Sequence, residues 1–201
     1  MKRVLTKVVS WAHELLAEVI VPGSLVVDLT TGTGQDTLFL YRMVGDSGQV
    51  VGFDIQSQAL IATQKRLVSA GGTVRLKVSD VEPLLGEPGI DLVLRDHAEI
   101  ANIIKTAPQA IIANLGYLPE GNKGIITKPE STVLALERSC SLLVPRGRLA
   151  VVVYPGHIGG MEEGRAATEF FKALNDKKFN VMQFQVINRQ QAPFLFVAEK
   201  R

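Results

Sequence analysis

Residues 25–40 read Leu-Val-Val-Asp-Leu-Thr-Thr-Gly-Thr-Gly-Gln-Asp-Thr-Leu-Phe-Leu, and this stretch decides the fold. Residues 25–29 are a short apolar run with Pro22-Gly23 before it and glycines after it, which suits a buried strand. Gly32 and Gly34 supply a tight turn, and a helix follows over residues 36–43. Strand, glycine turn and helix in that order put a helix N-terminus at the carboxyl end of a strand, where α/β sheets hold ligands.

The flanking elements extend the pattern. Val4, Leu5, Val8, Val9, Ala12, Leu15, Leu16, Val19 and Ile20 recur at helical spacing, so residues 4–20 are expected to form an amphipathic helix. Residues 49–53 read as a strand ending at Asp54, and Ser57 caps a helix running to about Ser69. Val74, Leu76 and Val78 alternate like a strand, with residues 90–94 a second candidate close behind. Residues 109–113 form a buried strand ending at Asn114. Thr127 with Glu130 makes a capping box for a helix to about Leu143, and Pro145-Arg146-Gly147 turns the chain into a strand over 148–154. A helix over 162–174 precedes two closing strands, 181–187 and 194–198, joined by a short polar loop as an antiparallel pair. The expected fold is α/β and Rossmann-like: a doubly wound, mostly parallel seven-stranded sheet with an antiparallel C-terminal strand, residues 1–201 forming a single domain. That antiparallel ending separates methyltransferase sheets from those of dinucleotide-binding dehydrogenases.

Composition narrows the function. Hydrophobic residues are 46% and charged residues 21% of 201, a globular balance. A net charge of +2 permits nucleic-acid binding without arguing for it, so any basic face must be local. The single cysteine, Cys140, excludes an internal disulfide and fits a reducing, cytoplasmic setting. Only His13, His97 and His157 are available as imidazoles, so no metal site is expected. No stretch approaches a membrane span.

The acids around the glycine turn indicate which ligand it takes. Asp54 stands 20 residues after Gly34, where a carboxylate can accept both ribose hydroxyls of an adenosine. The same spacing suits NAD, but the third glycine of a dinucleotide fingerprint is replaced by Thr37. Asp28 would also repel a pyrophosphate, whereas it would hold a methionine ammonium. S-adenosyl-L-methionine is therefore the expected cofactor, with Asp28, Thr30, Gly32, Gly34, Gln35, Asp36, Asp54, Ile55 and Asn114 as its contacts. The alternatives are a nicotinamide-dependent oxidoreductase and a cofactor-binding protein without catalysis.

Asn114-Leu115-Gly116-Tyr117 ends the fourth strand of this scheme, beside the expected position of the cofactor's methyl group. A polar residue, backbone carbonyls and an aromatic are the arrangement of amine methyltransferases of the Asn/Asp-Pro-Pro-Tyr type. A nucleophilic nitrogen must present its lone pair in line to the methyl, so its hydrogens need acceptors. The Asn114 side-chain oxygen and the Leu115 carbonyl can supply them, and Tyr117 can stack on a planar base. These three are the catalytic candidates.

The segments Ala12-His13-Glu14-Leu15-Leu16, Asp28 to Leu40, Asn114-Leu115-Gly116-Tyr117-Leu118-Pro119, Ser131-Thr132 and Tyr154-Pro155-Gly156-His157 resemble the "Putative rRNA methylase" family. The resemblance covers nearly the whole chain. It implies a class I methyltransferase acting on RNA, with members that methylate the aminomethyl nitrogen of the wobble uridine in tRNA; rRNA or a small molecule is the alternative acceptor. It also implies an acid and a histidine just after the third strand as cofactor contacts on the adenine side. Asp96-His97 fits that place better than Asp80 and makes much of residues 72–89 an insertion. The chain departs from the family at Gly121-Asn122-Lys123, where an acid commonly replaces the asparagine, and in the closing loop Ile187-Asn188-Arg189-Gln190-Gln191. Tyr117, Lys123, His157, Asn188 and Arg189 are the substrate-side candidates. Lys123, Lys128, Arg146 and Arg189 are candidate phosphate contacts for an anticodon stem-loop. His13 is a candidate for closing the cofactor pocket. A homodimer is compatible with the sequence and undecided by it.

Overall fold

The structure is a computed structural model and describes residues 7–79, 82–116, 127–156 and 159–201. Eight strands form one sheet: β1 (Leu25–Asp28), β2 (Gln49–Asp54), β3 (Val74–Lys77), β4 (Gly89–Leu94), β5 (Ala110–Leu115), β6 (Arg148–Val153), β7 (Phe179–Gln185) and β8 (Phe194–Lys200). Their spatial order is β3-β4-β2-β1-β5-β6-β8-β7. Pairing is parallel from β3 to β6, while β8 runs antiparallel to both β6 and β7.

Successive side chains of the inner strands go to opposite faces, as the two-residue period of a strand requires. Val27, Val51 and Ile111 join one core with Leu136 and Phe171, while Val26, Val50 and Ile112 join the other with Leu16, Leu40 and Leu60. The first core is covered by α4 (Ile100–Ile103), α5 (Pro129–Leu142) and α6 (Gly160–Ala173); the second by α1 (Val8–Ala17), α2 (Gln35–Val44) and α3 (Ser57–Ser69). Strand order reverses at β1, which has β2 on one side and β5 on the other. That reversal opens a crevice at the carboxyl ends of β1 and β5.

Among the described residues the sheet has eight strands rather than seven, because both candidates between residues 74 and 94 are strands. β4 takes the place next to β2, and β3 is added outside it. A buried polar staple holds the extra strand. Arg75 donates to both oxygens of Asp91 at 2.7 Å, and the Gln49 amide donates to the same carboxylate at 2.8 Å. Of the alternating residues of this segment, Val74 packs against the second core while Leu76 and Val78 are exposed.

The capping box expected at Thr127 and Glu130 does not form. Lys128 is the N-cap of α5 and makes no side-chain cap, Pro129 opens the helix, and the Thr127 hydroxyl is taken up elsewhere. Ser57 is the first residue of α3 rather than its cap; the preceding Gln56 N–H is bound by Asp54 at 2.9 Å.

Candidate active site

The glycine loop is shaped from behind by Asp28 and closed from the side by Asp54. Asp28 is fully buried and lies behind the cavity wall, not on it. Its carboxylate accepts the Thr30 N–H at 3.0 Å and the Thr37 hydroxyl at 2.6 Å. Thr37 thus stands where a dinucleotide site needs glycine and uses its hydroxyl to lock the acid. Gly32 and Gly34 both have positive φ, and a Cβ on Gly34 would lie 2.9 Å from the Thr63 Cα. Asp54, at the end of β2, accepts the Gly32 N–H at 3.0 Å through Oδ2 and the Gln56 N–H through Oδ1.

These carboxylates make the crevice a place for a cation. Burial pushes Asp28 up from 3.8 to about 7, with the charges of Asp36 and Asp54 adding to the rise. Burial also pushes Asp54 above the usual carboxylate range. A positive ligand relieves both, and a pyrophosphate would worsen both. Between pH 4 and 7 folded Asp28 keeps a proton that the unfolded chain releases, so it lowers stability as pH rises through that window. Asp28→Asn, neutral at all pH, is expected to melt higher than the wild type above pH 7, with the gain vanishing toward pH 4. Thermal melts at both ends of the window check this; an equal gain at both would contradict it.

Opposite the loop, Asp96 follows β4. Burial would raise its carboxyl, but the Ser131 hydroxyl (2.5 Å) and the Ala98 N–H (2.8 Å) hold it below the usual range. Ser131 also meets His97 Nε2 at 3.3 Å, and burial pushes that imidazole down, toward its neutral form. At the end of β5, the Asn114 N–H donates to Thr30 Oγ1 at 2.8 Å. The Asn114 side-chain NH₂ donates to Asp36 Oδ2, and the other oxygen of Asp36 meets His13 Nε2 at 2.5 Å. His13 stacks on Phe39 with ring centres 3.9 Å apart, which ties α1 to α2. The amide nitrogen is committed to Asp36; the acceptor that Asn114 offers is its oxygen.

A cavity of about 710 Å³ runs between these elements. Of the sequence candidates, Thr30, Gly32, Gln35, Asp36, Asp54, Ile55, Asp96, His97, Asn114 and Leu115 line it, as does Lys128. Gly34 packs against α3 behind the loop. Asn188 and Arg189 are exposed in the β7–β8 loop at the same end of the sheet, but Gln191 and Pro193 of that loop form the wall. Tyr117, Lys123, His157 and Asp80 lie outside the described residues.

Arg146 is a correction. It precedes β6, at the opposite end of the strands from the cavity, where it pairs with Glu199 at 3.9 Å. Sequence reasoning also missed Tyr154 and the buried Glu163. Tyr154 lines the cavity, where burial and the charge of Asp36 raise its hydroxyl pKa. No three His, Cys, Asp or Glu side chains are grouped as a metal site among the described residues, and no described helix is long and apolar enough to cross a membrane.

The "Putative rRNA methylase" family model matches residues 50–200. The model for protein-L-isoaspartate(D-aspartate) O-methyltransferase matches residues 5–86, the part carrying the glycine loop and Asp54. A chloroplastic tRNA (mnm(5)s(2)U34)-methyltransferase of Arabidopsis thaliana is 35% identical over 94% of this chain and 68% of its own length. A crystal structure described as a putative rRNA-methylase from Clostridium thermocellum has a TM-score of 0.86 and 35% identity, covering 96% of this chain and 97% of the other. A Streptococcus mutans structure, described as a putative methyltransferase in complex with SAH, has a TM-score of 0.82 and 32% identity over 100% and 99% of the two chains.

A doubly wound sheet with an antiparallel ending and a carboxylate-ringed glycine crevice defines an S-adenosylmethionine-dependent methyltransferase of class I. Within that class, the chain belongs to the rRNA methylase family. The cavity residues suit the cofactor: Asp54 can accept a ribose diol, and the acids around the loop suit its positive end. When bound, S-adenosylmethionine supplies an electrophilic methyl group.

Proposed function

We propose that this enzyme methylates the amino nitrogen of a 5-aminomethyl-2-thiouridine at the wobble position of tRNA. The observation that carries the reading is the Asn114 amide, held by Asp36 so that it offers an oxygen at the carboxyl end of β5. Leu115 beside it also lines the cavity, and in this reading its carbonyl is the second acceptor. Two acceptors at one point suit a nucleophile with N–H bonds, which must be turned so that its lone pair faces the methyl. The chloroplastic relative's name adds the acceptor class, since it describes a tRNA methyltransferase acting on uridine 34.

In this reading Asp54 and Gly32 hold the ribose, Ile55, Asp96 and His97 the adenine side, and Thr30, Gln35 and Asp36 the methionine end. Asp28 acts through the loop it locks. Tyr117, Lys123 and His157, with Lys128, Asn188 and Arg189 at the mouth, meet the RNA. The enzyme works in the cytosol, where its tRNA substrates mature.

Nucleoside mass spectrometry of tRNA from cells lacking the protein tests this. The expected result is loss of 5-methylaminomethyl-2-thiouridine with accumulation of the unmethylated aminomethyl nucleoside. Unchanged tRNA nucleosides alongside a missing methyl group in rRNA would transfer the reading to the acceptor in the family's name.

A further inference from the structure

Glu163 is a buried carboxylate on α6 that the cofactor and substrate assignments leave without a role; its relative exposure is 1%. It sits in the first turn of that helix. Two hydroxyls are committed to it. Thr132 Oγ1 donates to Oε1 at 2.5 Å, and Thr127 Oγ1 donates to Oε2 at 2.7 Å. Thr127 in turn accepts the Gly116 N–H at 2.9 Å, while its own N–H donates to the Gly116 carbonyl at 3.0 Å.

These bonds have a direction. Because the Thr127 proton is drawn to Glu163, a lone pair of the same oxygen is presented to the Gly116 N–H. Gly116 N–H and the Leu115 carbonyl belong to one trans peptide, whose N–H and C=O point in opposite directions. Fixing the N–H on Thr127 therefore fixes the Leu115 carbonyl on the other side of that plane. Gly116 itself has φ of +156°, a conformation that favours glycine.

We infer that Glu163, acting through Thr127, is a positioning residue that aims the Leu115 carbonyl at the acceptor nitrogen. This inference rests on the amine-methylating reading above. It makes the two amine acceptors parallel constructions: Asp36 orients the Asn114 amide, and Glu163 orients the neighbouring peptide. A purely structural latch would hold the fold together without affecting turnover separately from binding.

The test compares Thr127→Val, Thr127→Ser and Glu163→Gln with the wild type. It uses tRNA carrying 5-aminomethyl-2-thiouridine, with S-adenosylmethionine affinity measured by calorimetry and folding by thermal melts. Thr127→Val keeps the side-chain shape and removes the hydroxyl; its kcat is expected to fall about 10- to 100-fold. Its cofactor Kd and acceptor KM should stay within about threefold, roughly 0.7 kcal/mol. Thr127→Ser restores most of the turnover, and Glu163→Gln, which can accept only one hydroxyl, lies between. Wild-type kcat in Thr127→Val, or a loss confined to KM, overturns this inference while leaving the amine reading intact. A Thr127→Ser variant as impaired as Thr127→Val overturns it too. A folded wild-type enzyme that binds the cofactor but does not methylate the aminomethyl acceptor overturns the amine reading and this inference with it.

Discussion

Asn114→Ala is expected to lower kcat for methyl transfer by about 100-fold or more while leaving S-adenosylmethionine affinity within about fivefold of the wild type. The side chain contributes one acceptor at the end of β5, held by Asp36, and its removal leaves the nucleophile's N–H bonds free to turn. The backbone of residue 114 is retained, so its N–H still bonds to Thr30 and the strand end keeps its place. The loss should therefore fall on the chemical step rather than on cofactor binding. Single-turnover rates with saturating cofactor and tRNA measure it. A wild-type rate in the alanine variant would remove Asn114 from the chemistry.

Asp54→Ala is expected to weaken S-adenosylmethionine and S-adenosylhomocysteine alike, by about 30- to 200-fold. A charge-assisted hydrogen bond is worth about 2–3 kcal/mol, and this carboxylate can offer one or more to the ribose. It also holds the Gly32 and Gln56 N–H groups, so its loss loosens the loop on which the cofactor rests. Because the ribose is common to both molecules, the two affinities should fall together. Calorimetric titration of each checks this. A change in one affinity without the other would place Asp54 at the sulfonium end of the site.

Elements buried on both faces are legible in the sequence. Val26, Val27, Val50 and Val51 form continuous apolar runs because β1 and β2 are covered on each side, and α3 has the limits expected for it apart from its cap. The glycine loop, Asp54 and Asn114 followed from their places at strand ends. What escaped notice depends on contacts between distant residues. Leu76 and Val78 of the alternating segment are exposed, and β3 is fastened to β4 by the Arg75–Asp91 pair, 16 residues apart, as well as by strand pairing. α4 is a four-residue helix, too short for a periodic signal. Thr127 looks like a helix cap, but Gly116 and Glu163 claim its hydroxyl. Loops at the two ends of the strands of a parallel sheet look alike in sequence, which is why Arg146 was grouped with the site. Glu163 in Met-Glu-Glu-Gly-Arg reads as a solvated first-turn acid; only the fold brings two threonines to it.

The measurement that bears most directly on the central claim is transfer of a trideuterated methyl group from labelled S-adenosylmethionine to tRNA carrying 5-aminomethyl-2-thiouridine. The purified protein supplies the enzyme, and the digested nucleosides are analysed by fragmentation mass spectrometry. The expected result is the label on the exocyclic amine of the wobble nucleoside. Label on a ring atom or a ribose oxygen, or none in tRNA and label in rRNA, would contradict it.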